Sequence, residues 1–588
     1  MSAQDAGFLE AAPPPDRWPV RVWPGLLIVA LVAAAMIVPG LLWPRTPAHF
    51  VSLFAAPLVG AVAAVGWWTF AARVRGPFRW LVPALLFVPA VVVGAVWYRG
   101  AEMAVAVYAL PAVVTAWVLW LAVSWGAPGG VRRGGLVVAM LAVWAAVAML
   151  RFDGADADLV PAFRWFWHPT EEERFAAERG ERAKPAPGAP EAQSVVVGPG
   201  DWPGFRGPAR DGRVVGVTID TDWAARPPEL VWKHRVGPGW GSFAVVGGRA
   251  FTQEQRGTDE AVVCYAADTG AELWEHRTPG RFTEVIAGAG PRATPTVHDG
   301  RLYAQGATGK LVCLDAATGT PHWTADLTAD AGGVVPQWGY SGSPLVADDV
   351  VIVYAGGPTG KGTAAFKADT GALAWAAGNA KHGYSSAHPA TLGGVPQVLM
   401  TSDYGVEAFR PADGKLLWEH AWTIKGMNRV TQPAVLGDSD VVFGTGVGAE
   451  QGTRRLRVTK AGDGWDVAVR WTSKVAKPYF NDGVVAGKHL YGFDDSRFCC
   501  LDLETGAEAW KEGNYGHGQV LLLADQGVLL VQAADGKVVL VEANPTEHNE
   551  LGKFAALAGK TWNHPVVAGG RLYVRNGQEA ACYRLGVK

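Results

Sequence analysis

The first 150 residues of this 588-residue chain contain no lysine and no cysteine, and only four acids: Asp5, Glu10, Asp16 and Glu102. Charge is scarce throughout, at 18% Asp, Glu, Lys and Arg, against ~25% in an average soluble protein. The net charge of −2 carries no basic surplus, which excludes a nucleic-acid partner held by phosphate neutralisation. No Cys-x-x-Cys-His run occurs, so covalent c-type haem is excluded. An electron acceptor, if one is needed, is then a separate protein or a membrane quinone. A hydrophobic fraction of 49% excludes a mainly disordered chain. The apolar residues gather at one end, which argues against a uniformly soluble protein.

Five apolar stretches fill that end: about Pro24–Trp43, Phe50–Ala71, Trp80–Tyr98, Met103–Trp125 and Gly135–Leu150. Four are long enough for a ~30 Å hydrocarbon core, and the fifth is short. One cleaved signal peptide accounts for the first stretch only. Trp43, Trp67, Trp68, Trp80, Trp97 and Trp125 lie near the ends, as interfacial aromatics do. Arg17, Arg21, Arg73, Arg75, Arg79, Arg132 and Arg133 fall on one side, and Arg45, Arg99 and Arg151 on the other. The positive-inside rule places the N-terminus in the cytoplasm and everything after Leu150 outside it. A bacterial inner (cytoplasmic) membrane with a periplasmic C-terminal region is the expected location. No Asp, Glu, Lys or His lies well inside a span, so the bundle reads as an anchor, with a quinone pocket between helices as the exception. Gly60 and Gly66 read as close helix-packing sites.

Residues 151–200 read as a charged helix and a linker. Thr170 followed by Glu171, Glu172 and Glu173 has the form of a capping box opening a helix that ends near Gly180, its acidic run a solvated face. Lys184–Gly200, rich in Pro, Ala and Gly, reads as an extended spacer.

Residues 201–588 repeat. The run DTGAELW at 268–274 returns as ATGTPHW at 317–323, DTGALAW at 369–375, DGKLLW at 413–418 and ETGAEAW at 504–510. Weaker copies end at Trp471 and Phe554. A period of about 40–53 residues, built of short alternating strands and Gly turns, specifies a β-propeller. In the Thr-Gly pair the glycine takes the positive-φ place of a tight turn, and the Trp that follows packs between blades. The count is eight. The last unit, around Pro565–Leu585, lacks its own Trp, and Pro228–Trp232 supplies it by strand exchange, leaving no open edge. The fold class is therefore an α-helical transmembrane bundle of about five spans (1–150), a linker (151–200) and an all-β eight-bladed propeller (201–588).

The repeated Asp-x-x-Thr-Gly-x-x-x-Trp-type run resembles the PQQ-type eight-bladed propeller superfamily, which includes the quinoprotein dehydrogenases and the BamB-like propellers of outer-membrane assembly. The segment DWPGFRGPARDG at 201–212 resembles the lead-in of PQQ-binding-like propellers. Five helices ahead of such a propeller are similar to the layout of membrane-bound quinoprotein glucose dehydrogenase. The repeat marks blade architecture, not cofactor occupancy.

In a propeller the innermost strands surround a central channel. Aligning the repeats brings one polar or aromatic cluster per blade to the start of each inner strand. The residues are Trp240, Arg292, Trp338 with Tyr340, Tyr384 with His388, Asn428 with Arg429, Asn481 with Asp482, His517, and Trp562 with Asn563 and His564. A flat aromatic ligand with carboxylates suits such a funnel, rings on Trp and acids on Arg. The alternative is that these side chains plug a narrow channel with mutual hydrogen bonds. For a dehydrogenase the resemblance implies Ca²⁺ against the quinone and an Asp as base. A hard cation wants several oxygens, usually including carboxylates. Asp482 is the single acid in the aligned segments and the candidate base. Glu284 lies upstream of the second cluster, Asn428, Asn481 and Asn563 offer carbonyl oxygens, and the family's Glu, Asn and Asp set does not map residue by residue. His388, His517 and His564 form an alternative transition-metal set.

All five cysteines lie in the propeller. Cys264, Cys313, Cys500 and Cys582 share a repeat position and read as small core residues. Cys499 and Cys500 resemble the vicinal disulfide of some alcohol dehydrogenases, yet neighbours on a strand face opposite ways. Two functions stay open. One is a membrane-tethered propeller that binds a protein partner or small ligand outside the cytoplasm. The other is a PQQ-dependent dehydrogenase, with PQQ and Ca²⁺ as cofactors, oxidising an alcohol or sugar and passing electrons to membrane quinone.

Overall fold

The computed structural model describes residues 18, 20–43, 47–97, 102–155, 161–181, 194–424, 429–446 and 451–586. Arg17, Arg45, Arg99, Asn428 and residues 184–193 of the spacer lie outside the described residues. The chain divides into two compact units, Met1–His168 with Val285–Ala287, and Pro169–Glu284 with Gly288–Lys588.

The first unit holds five helices long and apolar enough to cross a membrane: Trp23–Leu42, His49–Ala71, Phe78–Val96, Val105–Val123 and Gly129–Ala148. The fifth is longer than hydropathy suggested. It takes in Arg132 and Arg133 and reaches 20 residues. Arg132 is tolerated there because its guanidinium is buried and donates to the carbonyls of Trp18 and Leu121. Trp67 and Trp68 do not sit at the lipid interface. They are buried with Trp117, the Trp68 and Trp117 rings 5.2 Å apart. Their indole N–H groups donate to the carbonyls of Arg21 and Phe78. Gly60 faces Val32 so closely that a Cβ would collide, whereas Gly66 faces open space and serves no packing role.

The second unit is the eight-bladed propeller. Seven sheets are antiparallel four-stranded meanders, with inner strands Ala244–Val246, Thr296–His298, Leu345–Ala347, His388–Leu392, Ala434–Leu436, Val484–Ala486 and Gln519–Leu523, the last carrying Arg213–Val214 as an added fifth strand. The eighth begins with Val566–Ala568, and its outer strand is Glu229–Arg235 from the start of the propeller. Cys582 pairs with Trp232 there, as Cys264 pairs with Trp274 within the first blade. The expected strand exchange thus closes the ring.

The repeat has a mechanical meaning. In five blades the outer Trp lies on the glycine turn of the next blade. Trp232, Trp274, Trp323, Trp375 and Trp471 cover Gly270, Gly319, Gly371, Gly414 and Gly506. Several indoles also donate across the blade boundary, Trp323 to the Ala368 carbonyl at 3.0 Å and Trp510 to that of Asn544 at 2.8 Å. Gly371 combines a φ of +73° with a Trp323 ring that a Cβ would approach to 2.6 Å. Gly371→Ala is expected to cost roughly 1–2 kcal/mol from the left-handed backbone alone, with more from the displaced indole. A lowered thermal midpoint, followed by tryptophan emission, checks this.

The cysteines follow the same geometry. All five are buried and unpaired. Cys499 and Cys500 belong to different apolar clusters on the two faces of their strand. Burial pushes the Cys264, Cys500 and Cys582 thiols up to about 12, so they stay protonated and inert.

The helix expected within the linker, Glu171–Glu181, belongs to the propeller unit. The capping box forms in both directions, Thr170 N–H to Glu173 at 2.7 Å and Glu173 N–H to Thr170 Oγ1 at 3.0 Å. Its acids are not merely solvated. Glu172 pairs with Arg281 at 2.7 Å, Glu171 with Arg235, and Arg179 with Glu272 at 2.7 Å. Phe175 is buried beneath Arg256, whose guanidinium stands 5.5 Å from its ring. The helix is strapped across the first and last blades.

Candidate functional site

The starts of the inner strands of blades 1 to 6 are joined by a short hydrogen-bonded belt. The N–H of Ser242 donates to Thr294 Oγ1 at 2.8 Å, Thr294 N–H to Ser343 Oγ at 2.9 Å, and Ser343 N–H to Ser386 Oγ at 2.8 Å. Ser386 N–H then donates to Gln432 Oε1 at 3.0 Å, and Gln432 N–H to Asp482 Oδ1 at 2.6 Å. From blade 1 to blade 6, each backbone donor is satisfied by the side chain one blade on. A strand that ends at a narrow axis has no neighbour to pair with, and a short polar side chain at a fixed register supplies one. Ser343→Ala removes the acceptor for a buried N–H and is expected to cost about 1–3 kcal/mol. Ser343→Thr keeps the acceptor and should recover most of the thermal midpoint.

The channel itself is filled by the chain's own lead-in. Residues 201–214 run across several inner strands. Trp202 bridges Val245, Val297 N–H donates to the Pro203 carbonyl, and Arg213–Val214 pairs in parallel with Gln519–Leu523, the inner strand of blade 7. Arg206 and Arg210 are buried within it, 4% and 5% exposed. Arg210 donates to the Ser343 and Pro344 carbonyls at 2.9 and 2.8 Å. Arg206 donates to the carbonyls of Asp211 and Gly483, and its Nη1 lies 3.3 Å from Asp482 Oδ2. Asp482 is therefore buried, held by Gln432 and Arg206. Burial raises its carboxyl above the ordinary range, and Arg206 works against that rise.

His388 and His564 face the same cations. Burial, with the charges of Arg206 and Arg210, pushes His388 down to about 3. Burial and Arg206 push His564 to about 3 against a hydrogen bond to the Pro565 carbonyl. Both are neutral at physiological pH. Phe205 of the lead-in meets the His564 ring edge-on at 5.7 Å.

The aromatic residues of the predicted funnel gather in two groups. Trp240 meets Trp562 at 5.2 Å, Trp562 meets Phe480 at 5.1 Å, and Phe480 and Tyr479 both meet His517. The Lys560 ammonium stands over Trp562 at 4.6 Å and Trp240 at 5.3 Å. Trp338 stacks on Tyr384 at 5.5 Å, and the Tyr384 hydroxyl accepts the Trp338 N–H at 3.2 Å. Arg292 lies over Phe282 at 4.6 Å and pairs with Glu284 at 3.3 Å. Asn563 donates to the Gly239 and Gly241 carbonyls, and Asn481 accepts from Tyr479 N–H.

Two predicted residues stand elsewhere. Tyr340 is fully buried and donates to the Ala355 carbonyl at 2.9 Å. Gly339, at φ +74°, turns the backbone after Trp338 and sends Tyr340 between blades. Arg429 is fully buried over Trp422 and Phe443 and donates to the Ser402 carbonyl at 2.7 Å. Sequence reasoning missed Arg206, Arg210, Phe205 and Lys560. Arginines amid Gly and Pro were the one local sign that the lead-in packs against something.

A Ca²⁺–quinone centre needs several converging oxygen donors. Among the described residues, no three His, Cys, Asp or Glu side chains converge in a way that could hold a metal, and Asp482 is committed to Arg206. The residues present do not fit that centre.

An eight-bladed propeller with a Trp-on-turn repeat defines the class. Residues 258–512, from within blade 1 through blade 6, match the family described as outer membrane protein assembly factor BamB, so the propeller carries BamB-like, PQQ-type repeats. Similar solved structures include BamB from Moraxella catarrhalis, with 16% identity, a TM-score of 0.44, and 60% of this chain and 99% of that one covered. Another is the quinohemoprotein alcohol dehydrogenase from Comamonas testosteroni, with 13% identity, a TM-score of 0.47, and 71% and 84% covered. A europium-containing methanol dehydrogenase has 12% identity, a TM-score of 0.41, and 66% and 98% covered. No curated protein matches the chain. The architecture rests on the sheet topology itself, not on these likenesses.

Proposed function

We propose that this chain is a membrane-tethered binding scaffold. Its helices anchor it in a bacterial inner membrane with the N-terminus cytoplasmic, and its propeller presents the aromatic group around Trp240, Trp562 and Phe480 to a protein partner in the periplasm. The observation that carries this reading is the occupied channel. Segment 201–214 takes the axial space, and Arg206 takes the acid that chemistry would need. What remains available is a half-buried aromatic surface with Lys560 above it. Aromatic residues with a neighbouring cation are the usual anchors of protein interfaces.

A PQQ-dependent dehydrogenase is the second reading, favoured by the same stacked rings, which suit a flat acidic quinone. One titration separates the two. Full-length protein in nanodiscs is mixed with PQQ, with and without Ca²⁺, and tryptophan emission is followed. The scaffold reading expects no saturable quenching, and one-to-one saturation with dye reduction would overturn it. A photo-crosslinking amino acid at position 240 is expected to trap one discrete protein in cells. No adduct at 240 or 562 would remove the aromatic group as the contact surface.

A further inference from the structure

The hairpin after the fifth helix has two unlike faces. Its strands, Leu150–Ala155 and Pro161–Trp165, pair Leu150 with Trp165, Arg151 with Arg164 and Phe152 with Phe163. Side chains alternate along a strand. Leu150, Phe152, Phe163 and Trp165 therefore share one face, and Arg151, Asp153 and Arg164 share the other. The charged face is internally paired, Asp153 lying 2.8 Å from both Arg151 and Arg164. The apolar face is covered only in part: Phe152 packs against the helix bundle, while the second strand stays open. Phe163 and Trp165 are 37% and 42% exposed, and the next two residues, Phe166 and Trp167, are 56% and 55% exposed. The Trp165 and Trp167 rings stack 5.0 Å apart at 8°. Phe163 meets Phe152 and Tyr108 at 5.7 Å each, which fixes the hairpin to the helix bundle.

Helix length sets the depth of this group. The fifth helix has 20 residues, or about 30 Å at 1.5 Å per residue, which matches the hydrocarbon thickness of a bilayer. Its last turn therefore lies where acyl chains meet headgroups. Leu150 begins the hairpin two residues after that turn ends at Ala148. Phe166 N–H then donates to the Met149 carbonyl at 2.9 Å, returning the second strand to the same level. Four exposed aromatic side chains are thus held at the depth that Trp and Tyr favour.

We infer that this hairpin is an interfacial collar: Phe163, Trp165, Phe166 and Trp167 insert into the headgroup–acyl boundary of the bilayer the five helices cross. Its partner is lipid, and Arg151 and Arg164, paired through Asp153, lie on the opposite face. The collar locks the depth of the last helix.

Native full-length protein in phosphatidylcholine nanodiscs, with a diazirine carried on the lipid near the glycerol, is photolysed and digested. Adducts are expected on residues 161–167 as well as on the ends of the helices. Adducts on helices with none on 161–167 would overturn the collar alone, and absence from both would overturn the membrane reading with it. In a second measurement, Phe166→Cys is spin-labelled; the five native cysteines are buried, so the label goes to 166. Collisions with oxygen are expected to exceed those with a water-soluble nickel chelate, and the reverse order would place the aromatics in water. Should that variant not fold, the map on the unmodified protein decides.

Discussion

Replacing Asp482 by alanine is expected to destabilise the propeller by about 3–5 kcal/mol, because it leaves the buried Arg206 guanidinium without its counter-ion. The side chains are 5% and 4% exposed, so water cannot substitute. At this chain size the loss corresponds to a fall of roughly 4–6 °C in the thermal midpoint. Asp482→Asn keeps an oxygen for the Gln432 N–H but not the charge, and should lose nearly as much. The double variant Arg206→Met with Asp482→Asn removes both charges and is expected to regain most of the midpoint, since a buried pair replaced as a unit is often neutral. A catalytic role predicts the opposite for Asp482→Asn, lost dye reduction on an unchanged midpoint, and that outcome would return Asp482 to chemistry.

Acid is expected to weaken the propeller before the carboxylates held low by arginine or lysine are titrated. His388 and His564 ordinarily take a proton near pH 6.5, but burial and the lead-in arginines hold both to about 3 in the fold. Below pH 6.5 the unfolded chain binds these protons and the folded chain does not. Their contribution is therefore full above 6.5 and is lost as pH falls toward 3, at about 1.4 kcal/mol per unit for each histidine. The carboxylates held low by arginine or lysine, Glu272 and Asp326 at about 2, begin to lose stability only below about 4.5. Asp482, raised by burial, acts in the reverse sense, stabilising as pH falls. Between 6.5 and 4.5 the histidines, His276 and His420 included, both lowered first by burial, outnumber the opposing carboxyls raised by burial, Asp482, Glu260 and Glu407. A urea midpoint measured across that interval should fall steeply, and His388→Asn with His564→Asn should flatten it. An unchanged slope in the double variant would show that these histidines are not the cause.

The ring was legible in the sequence because its closure is local chemistry repeated. Asp-Thr-Gly runs mark turns that need a glycine, and the Trp four residues on from that glycine in each full copy packs against the next copy, so Trp232 could be assigned to the last blade by elimination. The aromatic group was legible for the same reason, one residue per repeat at one register. The lead-in was not. Arg206 meets Gly483, 277 residues away, and no periodicity connects them. Tyr340 was misplaced because a positive φ at Gly339 cannot be read from residue type alone. The fifth helix looked short because two arginines end a hydropathy window, whereas nearby carbonyls let one of them remain inside the bundle.

The exchanged outer strand also imposes a clock on synthesis. Arg584 pairs with Glu229 across 355 positions. At ~5–20 residues per second, the ribosome needs roughly 20–70 s to deliver the second partner. For that time Glu229–Arg235 is an unpaired strand on a nascent chain, able to anneal to a neighbouring copy. Its alternating Glu229, Lys233 and Arg235 are the kind of charges that keep a waiting edge soluble. A chain truncated just before residue 579 would wait indefinitely, and strand-swapped oligomers are the product its geometry favours.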